Sequence, residues 1–146
     1  MAITNFRGEY NFLSNFSNGK VWYGGYWFNT VETAFQAAKC EITSSISYFV
    51  KYSPREAKKC GRLGQIRSDW EECKVSIMGA LLRQKFTNFN LKHRLIETNP
   101  HKLIEGNTWG DRFWGCVREN GKWVGENHLG KLLMEIRNEL INETKS

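Results

Sequence analysis

Residues 29–40 read Asn29-Thr30-Val31-Glu32-Thr33-Ala34-Phe35-Gln36-Ala37-Ala38-Lys39-Cys40, and this stretch decides the fold class. Asn29 is a candidate N-cap with Glu32 at the third helical position, the arrangement of a capping box. A helix is therefore expected over Val31 to Cys40, with Val31 and Phe35 turned to a core. Glu32, Gln36 and Lys39 recur at i, i+4 and i+7, almost one line along the helix. Glu32 and Lys39 are then about 10.5 Å apart along the axis at 1.5 Å per residue. That gap is too long for an i,i+4 ion pair and matches the size of a small ring. Two readings of the stripe stand side by side: an acid, an amide and an amine lining a pocket, or a capping-box acid followed by a solvated face.

Upstream, Phe6 to Phe16 reads as extended with a turn at Leu13-Ser14-Asn15, and Val21 to Phe28, broken by Gly24-Gly25, reads as a hairpin. Downstream, Ser53, Pro54 and Glu56 open a second helix that Gly61 suits as a stop. A third helix is expected from Ser68, with Glu71 in the boxed place, to about Lys85 or Phe86. Its apolar stripe is Trp70, Cys73, Ile77, Leu81 and Leu82. Asn90 caps a short helix that stops before Pro100, and Leu103 to Trp109 looks like a strand running into a turn. Asn120-Gly121 between Phe113–Arg118 and Lys122–Val124 is a strong hairpin signal. Asn127 caps a final amphipathic helix through Leu129, Leu132, Leu133, Ile136 and Leu140, and Asn142 to Ser146 reads as a frayed tail. The expectation is an α+β fold in a single domain, residues 1–146, dominated by helices with a small, mainly antiparallel sheet.

A chain of 146 residues buries roughly 70% of its unfolded surface as one domain, enough to hold a core without disulfides or metals. Cys40, Cys60, Cys73 and Cys116 show no CxxC spacing, and His93, His101 and His128 are scattered, which argues against a zinc site or any other metal. No cofactor is implied. Met1 to Tyr10 is polar and interrupted, unlike a signal peptide. No apolar run approaches the ~20 residues of a membrane span, so a cytoplasmic protein without a membrane partner is expected. The net charge of +6 favours an anionic partner, although the basic residues are spread along the chain. Six tryptophans exceed what such a core needs and point to a lined pocket or binding surface.

A second polar cluster, Glu105-Gly106-Asn107-Thr108-Trp109-Gly110-Asp111, combines carboxylates, an amide and a tryptophan with glycines that let backbone approach a ligand. Trp109 suits stacking on a base, and Asp111 suits a carboxylate beside a reacting carbon. The competing reading is a turn in which Asn107 and Asp111 satisfy local backbone. In Arg67-Ser68-Asp69-Trp70, Trp70 is either a core anchor or a pocket wall. Asn15 in Leu13-Ser14-Asn15-Phe16 either shapes a turn or reaches a ligand.

Taken in order, these pieces resemble one family. They are Phe12-Leu13-Ser14-Asn15-Phe16, Thr30-Val31-Glu32 with Phe35-Gln36-Ala37-Ala38-Lys39, and Arg67-Ser68-Asp69-Trp70 with Lys74 and Met78. There follow Leu103-Ile104-Glu105-Gly106-Asn107 with Trp109-Gly110-Asp111 and Trp114-Gly115, then Gly125 to Met134 with Ile136-Arg137. The family is NADAR, and the resemblance spans nearly the whole chain. It implies an α+β fold and N-glycosidase activity. The substrates it implies are ribosylamino-pyrimidine phosphate intermediates of riboflavin biosynthesis, or ADP-ribose attached to guanine bases of nucleic acid. By motif match it carries Glu32, Trp70, Trp109 and Asp111 over as active-site candidates, with Lys39 and Asn107. Thr33 departs from the pattern: many members have histidine there.

Both substrate classes present a ribose anomeric carbon bonded to nitrogen. Cleavage builds oxocarbenium character that a carboxylate stabilises while a second group activates water or protonates the leaving nitrogen. The expected catalytic set is Glu32 as acid/base, Asp111 as second carboxylate and Lys39. The expected substrate-binding set is Asn15, Gln36, Trp70, Asn107 and Trp109. Lys39 binds phosphate or, in a rival chemistry, attacks the sugar to form a Schiff base. The alternative of a different class is a non-catalytic ADP-ribose or nucleic-acid binding module.

Overall fold

The protein is described by a computed structural model covering residues 1–145. In chain order the elements are β1 (Ala2–Ile3), β2 (Val21–Tyr23), β3 (Tyr26–Phe28), α1 (Val31–Ala38), α2 (Pro54–Leu63), α3 (Trp70–Lys85), α4 (Phe89–Glu97), β4 (Lys102–Leu103), β5 (Val117–Glu119), β6 (Lys122–Val124) and α5 (His128–Lys145). Two 3₁₀ segments, Gly8–Leu13 and Thr43–Lys51, complete the order. The α+β, helix-dominated class is as expected. Among the described residues the strands form three separate two-stranded pairings, two antiparallel and one parallel, instead of one sheet. No described helix is long and apolar enough to cross a membrane.

The chain divides into two compact units, residues 15–88 and residues 1–14 with 89–146. The first is built around α1. Every residue of α1 is buried, because α2, α3, the hairpin and the Thr43–Lys51 segment all pack on it. The hairpin pairs Val21 with Phe28, Trp22 with Trp27 and Tyr23 with Tyr26. Gly24 and Gly25 take the positive φ that its two-residue turn requires. Alternation buries Val21 and Phe28 and turns the Trp22–Trp27 pair outward. The Gln84 side chain of α3 bonds both the N–H and the C=O of Trp22, extending the hairpin ladder sideways.

In the second unit, β1 and β4 pair in parallel and α5 packs on β4 and α4. The β5–β6 hairpin turns at Asn120-Gly121, both at positive φ, as its sequence predicts. Asn107 and Asn127 knit the loops together. Asn127 accepts from the Glu105 N–H and donates to the Leu103 carbonyl.

Several boundaries differ from expectation. Phe6 to Phe16 is not extended; it coils into 3₁₀ structure after Gly8, whose φ is +57°. The second helix passes through Gly61 and ends at Leu63 with Gly64 as its cap. The third starts at Trp70 behind Asp69, one residue later than a Ser68 cap requires, and the fourth starts at Phe89. The strand expected over Leu103 to Trp109 shrinks to Lys102–Leu103. Asn142 to Lys145 continue the last helix instead of fraying, while Ser146 lies outside the described residues.

Candidate active site

The first helix is capped by Thr30, not by Asn29. The Thr30 hydroxyl accepts from the Thr33 N–H at 3.1 Å and lies 2.9 Å from the Thr33 hydroxyl. This one-residue shift puts Thr33 in the boxed position and takes Glu32 off capping duty. The Glu32 N–H donates to the Asn15 carbonyl at 3.1 Å, so the Ser14–Asn15 turn feeds into the first turn of α1. Glu32 is 7% exposed, and its Oε1 accepts from Gln36 Nε2 at 2.9 Å, an i,i+4 pair as the stripe predicts. A carboxylate taken this far out of water needs such partners.

Gln36 is held in place by Gly61. A Cβ on Gly61 would strike the Gln36 side-chain oxygen, so only glycine lets α2 approach this amide. The Gln36 Oε1 and the Asn15 Oδ1 are buried without a hydrogen-bond partner among the described residues. Exchanging the Gln36 oxygen and nitrogen would set a carbonyl oxygen against the Glu32 carboxylate, so the donor orientation is the one an ionised Glu32 selects. Asn15 donates to the Met78 sulfur at 3.5 Å, a weak bond for a buried amide.

The helix ends at Ala38, and Lys39 serves as its C-cap; Cys40 lies beyond the helix and bridges to Ile66. Lys39 is half-buried, and loss of solvent pulls its ammonium below the usual lysine value. Glu32 opposes this as an opposite charge, and Arg62 and Lys74 reinforce it as like charges. Arg67 closes the same helix end: its N–H bonds the Lys39 carbonyl at 3.1 Å and its guanidinium reaches the Ala38 carbonyl at 3.5 Å. Asp69 fixes that guanidinium bidentately at 2.6 and 2.9 Å. The motif Arg67-Ser68-Asp69-Trp70 is legible in the sequence, but the closure of α1 by Arg67 is not, because the Ala38 and Lys39 carbonyls it bonds lie far away in the chain. Trp70 is 6% exposed and packs its ring 4.8 Å from that of Phe35, so it anchors the α1–α3 contact.

In the other unit, Asn107 is the hub of its loop. Its side chain donates to the Asp111 carbonyl at 2.8 Å and the Glu105 carboxylate at 3.1 Å, and accepts from the Asp111 N–H at 3.0 Å. Asp111 Oδ1 accepts from the N–H groups of Phe113 and Trp114 at 3.0 and 2.9 Å. The turn-building reading of these two side chains thus describes their contacts. Trp109 on the same loop is 56% exposed. An open cleft of about 500 Å³ borders Asn107, and one of about 310 Å³ borders Cys40, Tyr52 and Cys60. Neither is lined by Glu32, Gln36 or Lys39.

A NADAR domain model matches residues 4–141. An N-glycosidase of Nostoc punctiforme is 34% identical over 140 residues, 91% of this chain and 87% of that protein. The N-glycosidase YbiA of Escherichia coli is 35% identical over 144 residues, 92% of this chain and 84% of that protein. Its NMR structure aligns at a TM-score of 0.82 and 34% identity, covering 100% of this chain and 90% of that one. The chloroplastic riboflavin biosynthesis protein PYRR of Zea mays is 36% identical over 96 residues, 61% of this chain and 15% of that much longer protein.

Proposed function

The chain belongs to the NADAR family, and from that premise we propose that it is a hydrolase that cleaves the N-glycosyl bond of a ribosylated substrate, with Glu32 as its acid/base. The observation that carries this reading is the buried Glu32–Gln36 pair on a helix whose N-terminus is capped by another residue. Capping does not account for that carboxylate, and two buried amide oxygens near its helix lack hydrogen-bond partners among the described residues. Water adds to the anomeric carbon as the carbon–nitrogen bond breaks. The bonding pair leaves with nitrogen, and the Glu32 carboxylate takes a proton from the attacking water and passes it to that nitrogen. Its negative charge also stabilises the oxocarbenium character of the sugar. Asn15 offers an acceptor to a ribose hydroxyl, Gln36 orients the Glu32 carboxylate, Lys39 with Arg62 and Lys74 attracts a phosphate, and Trp70 backs the wall behind α1.

For substrate, the likeness to a riboflavin biosynthesis protein supports a ribosylamino-pyrimidine phosphate. The +6 charge supports the second reading, removal of ADP-ribose from guanine in nucleic acid. Incubation with each substrate, scored by mass spectrometry for free base, selects between them. Glu32→Gln keeps an acceptor for Gln36 and is expected to lower turnover by about 10²–10⁴-fold. Full activity in that variant would remove Glu32 from the mechanism. Binding of both substrates without release of any product would replace the hydrolase by a binding module.

The depressed Lys39 favours weighing one rival chemistry, because a neutral amine is a nucleophile. Its nitrogen would displace the leaving nitrogen at the anomeric carbon, and ring opening would give an imine. Borohydride would deliver hydride to that carbon and leave a stable secondary amine. A ribose-derived mass on Lys39 after trapping establishes this route; turnover with no adduct establishes attack by water.

A further inference from the structure

Two of the four cysteines open on one cavity. The cleft of about 310 Å³ in the unit of residues 15–88 is lined by both Cys40 and Cys60, with Ile42, Tyr48, Phe49 and Tyr52 around them. Both cysteines are half-buried free thiols, so a small solute in the cleft reaches them. Cys73 and Cys116 lie outside its lining. Packing alone would explain a single half-buried cysteine as a small apolar residue. It does not explain two thiols that reach the same cavity from separate elements.

The backbone brings these two residues together from two directions. Cys40 follows Lys39, the C-cap of α1, and its thiol donates back to the Gln36 carbonyl at 3.8 Å. Cys60 lies on α2 just before Gly61, where a Cβ would strike the Gln36 side-chain oxygen. Both cysteines therefore flank the surroundings of one residue, Gln36. Past α2 the Gly64 N–H bonds the Cys60 carbonyl at 3.2 Å. The chain then returns beside Cys40: the Glu41 N–H donates to the Gln65 carbonyl at 3.0 Å, and Ile66 bridges to Cys40. The turn that leaves Cys60 is thus stitched to the residues around Cys40. Burial pushes the Cys40 thiol up; Lys39 opposes this as a positive charge, and the nearby Cys60 adds to it.

We propose that Cys40 and Cys60 are a reversible redox pair, which a peroxide converts to a disulfide tying the end of α1 to α2. One thiolate attacks a peroxide oxygen and the O–O bond breaks. The sulfur becomes a sulfenic acid, and the departing hydroxide takes up the proton that the thiol gave away. The second thiol then displaces the sulfenic oxygen, which leaves with that thiol's proton as water. Two thiols and one hydrogen peroxide give one disulfide and two waters. Burial that keeps Cys40 protonated suits it to the second step. An added thiol reverses the link by exchange. Disulfide geometry is narrow, so closing the bond draws Cys40 toward α2 and displaces its neighbour Lys39 and the Gln36 amide that Gly61 abuts. A loss of turnover in the linked form rests in addition on the active-site reading of Glu32, Gln36 and Lys39; the link itself does not.

The test treats the reduced full chain with a small excess of hydrogen peroxide and reads it by mass spectrometry, intact and after digestion without reductant. The intact mass is expected to fall by two hydrogens, a Cys40–Cys60 linked peptide to appear, and dithiothreitol to reverse both. Cys40→Ser and Cys60→Ser should each lose the link, whereas Cys73→Ser keeps it. In isotope-labelled protein the NMR signals of Lys39 and of the Gln36 side-chain amide should shift on oxidation and return on reduction, a readout that needs no substrate. The peptide map of wild type decides the matter even if a serine variant folds poorly. Oxygen gained at Cys40 or Cys60 without a link, a link through Cys73 or Cys116 instead, or a link that leaves the Gln36 and Lys39 signals unmoved overturns the proposal.

Discussion

Lys85 is 1% exposed at the end of α3, with its Nζ bonding the Ser17 hydroxyl at 2.9 Å. Its stem lies so close to Gly19 that a Cβ there would come within 2.8 Å of the Lys85 Cγ. Burial strips the ammonium of water and brings its pKa down to about 7 from the ordinary 10.5. Between those values the unfolded chain keeps a proton that the folded chain has released, so stability rises with pH across the window. Below about 7 both states are charged and the fold carries the whole cost of burying the charge. Each tenfold change in proton affinity is worth about 1.4 kcal/mol, so the window spans roughly 5 kcal/mol as an upper bound. Lys85→Met keeps the length of the stem and removes the titration, and it gives up the Ser17 hydrogen bond, worth about 1 kcal/mol. Urea unfolding of both proteins from about pH 6.5 to about pH 9.5 measures the difference, in which the other titrating groups cancel. Wild type should gain several kcal/mol more than Lys85→Met over that range, and the variant should be the more stable protein at the acid end. Parallel stability curves would refute the assignment of a buried, readily neutralised amine.

Other consequences are as direct. Thr30→Ala is expected to cost about 1–2 kcal/mol, and Asn29→Ala less than about 0.5 kcal/mol, in thermal or urea unfolding, because Thr30 holds the cap. Gly61→Ala gains about 1 kcal/mol of helix propensity but drives the Gln36 amide off its position against Gly61. Its melting temperature should change little while turnover falls, since the amide that orients Glu32 is displaced. Asp111→Asn retains an acceptor for the Phe113 and Trp114 N–H groups, whereas Asp111→Ala leaves them unpaired at a cost of about 1–3 kcal/mol. Lost turnover in a normally stable Asp111→Asn protein would assign the charge a chemical role; full turnover there would leave Asp111 as a turn builder.

What could be read from the sequence divides along a physical line. The two hairpins and the Ser53 capping box were legible because every determinant lies within a few residues: Gly24-Gly25, Asn120-Gly121, and Ser53 with Glu56. Gly61 misled because glycine's weak helix propensity signals a stop. Its purpose is instead tertiary, to admit the Gln36 amide of another helix. Lys85 stood in the sequence only as the approximate end of α3, since nothing local shows that the distant Ser17–Gly19 segment covers it. Phe6 to Phe16 looked extended from its aromatic content, and the positive φ at Gly8 turned it into 3₁₀ structure. The candidate site follows the same rule. The Glu32–Gln36 bond was visible as helical spacing, whereas the orphaned oxygens of Asn15 and Gln36 depend on what packs around them. Whether Glu32 is the boxed acid of the helix turned on two adjacent residues, Asn29 and Thr30, that both favour the N-cap. Residue type could not choose between them. The choice is visible in the packing: the Asn29 carbonyl accepts from the Gly19 N–H, tying that residue to the preceding loop, and Thr30 with Thr33 closes the helix end. Moving the cap by one residue takes Glu32 out of the box and leaves its carboxylate to Gln36 instead of to the helix end.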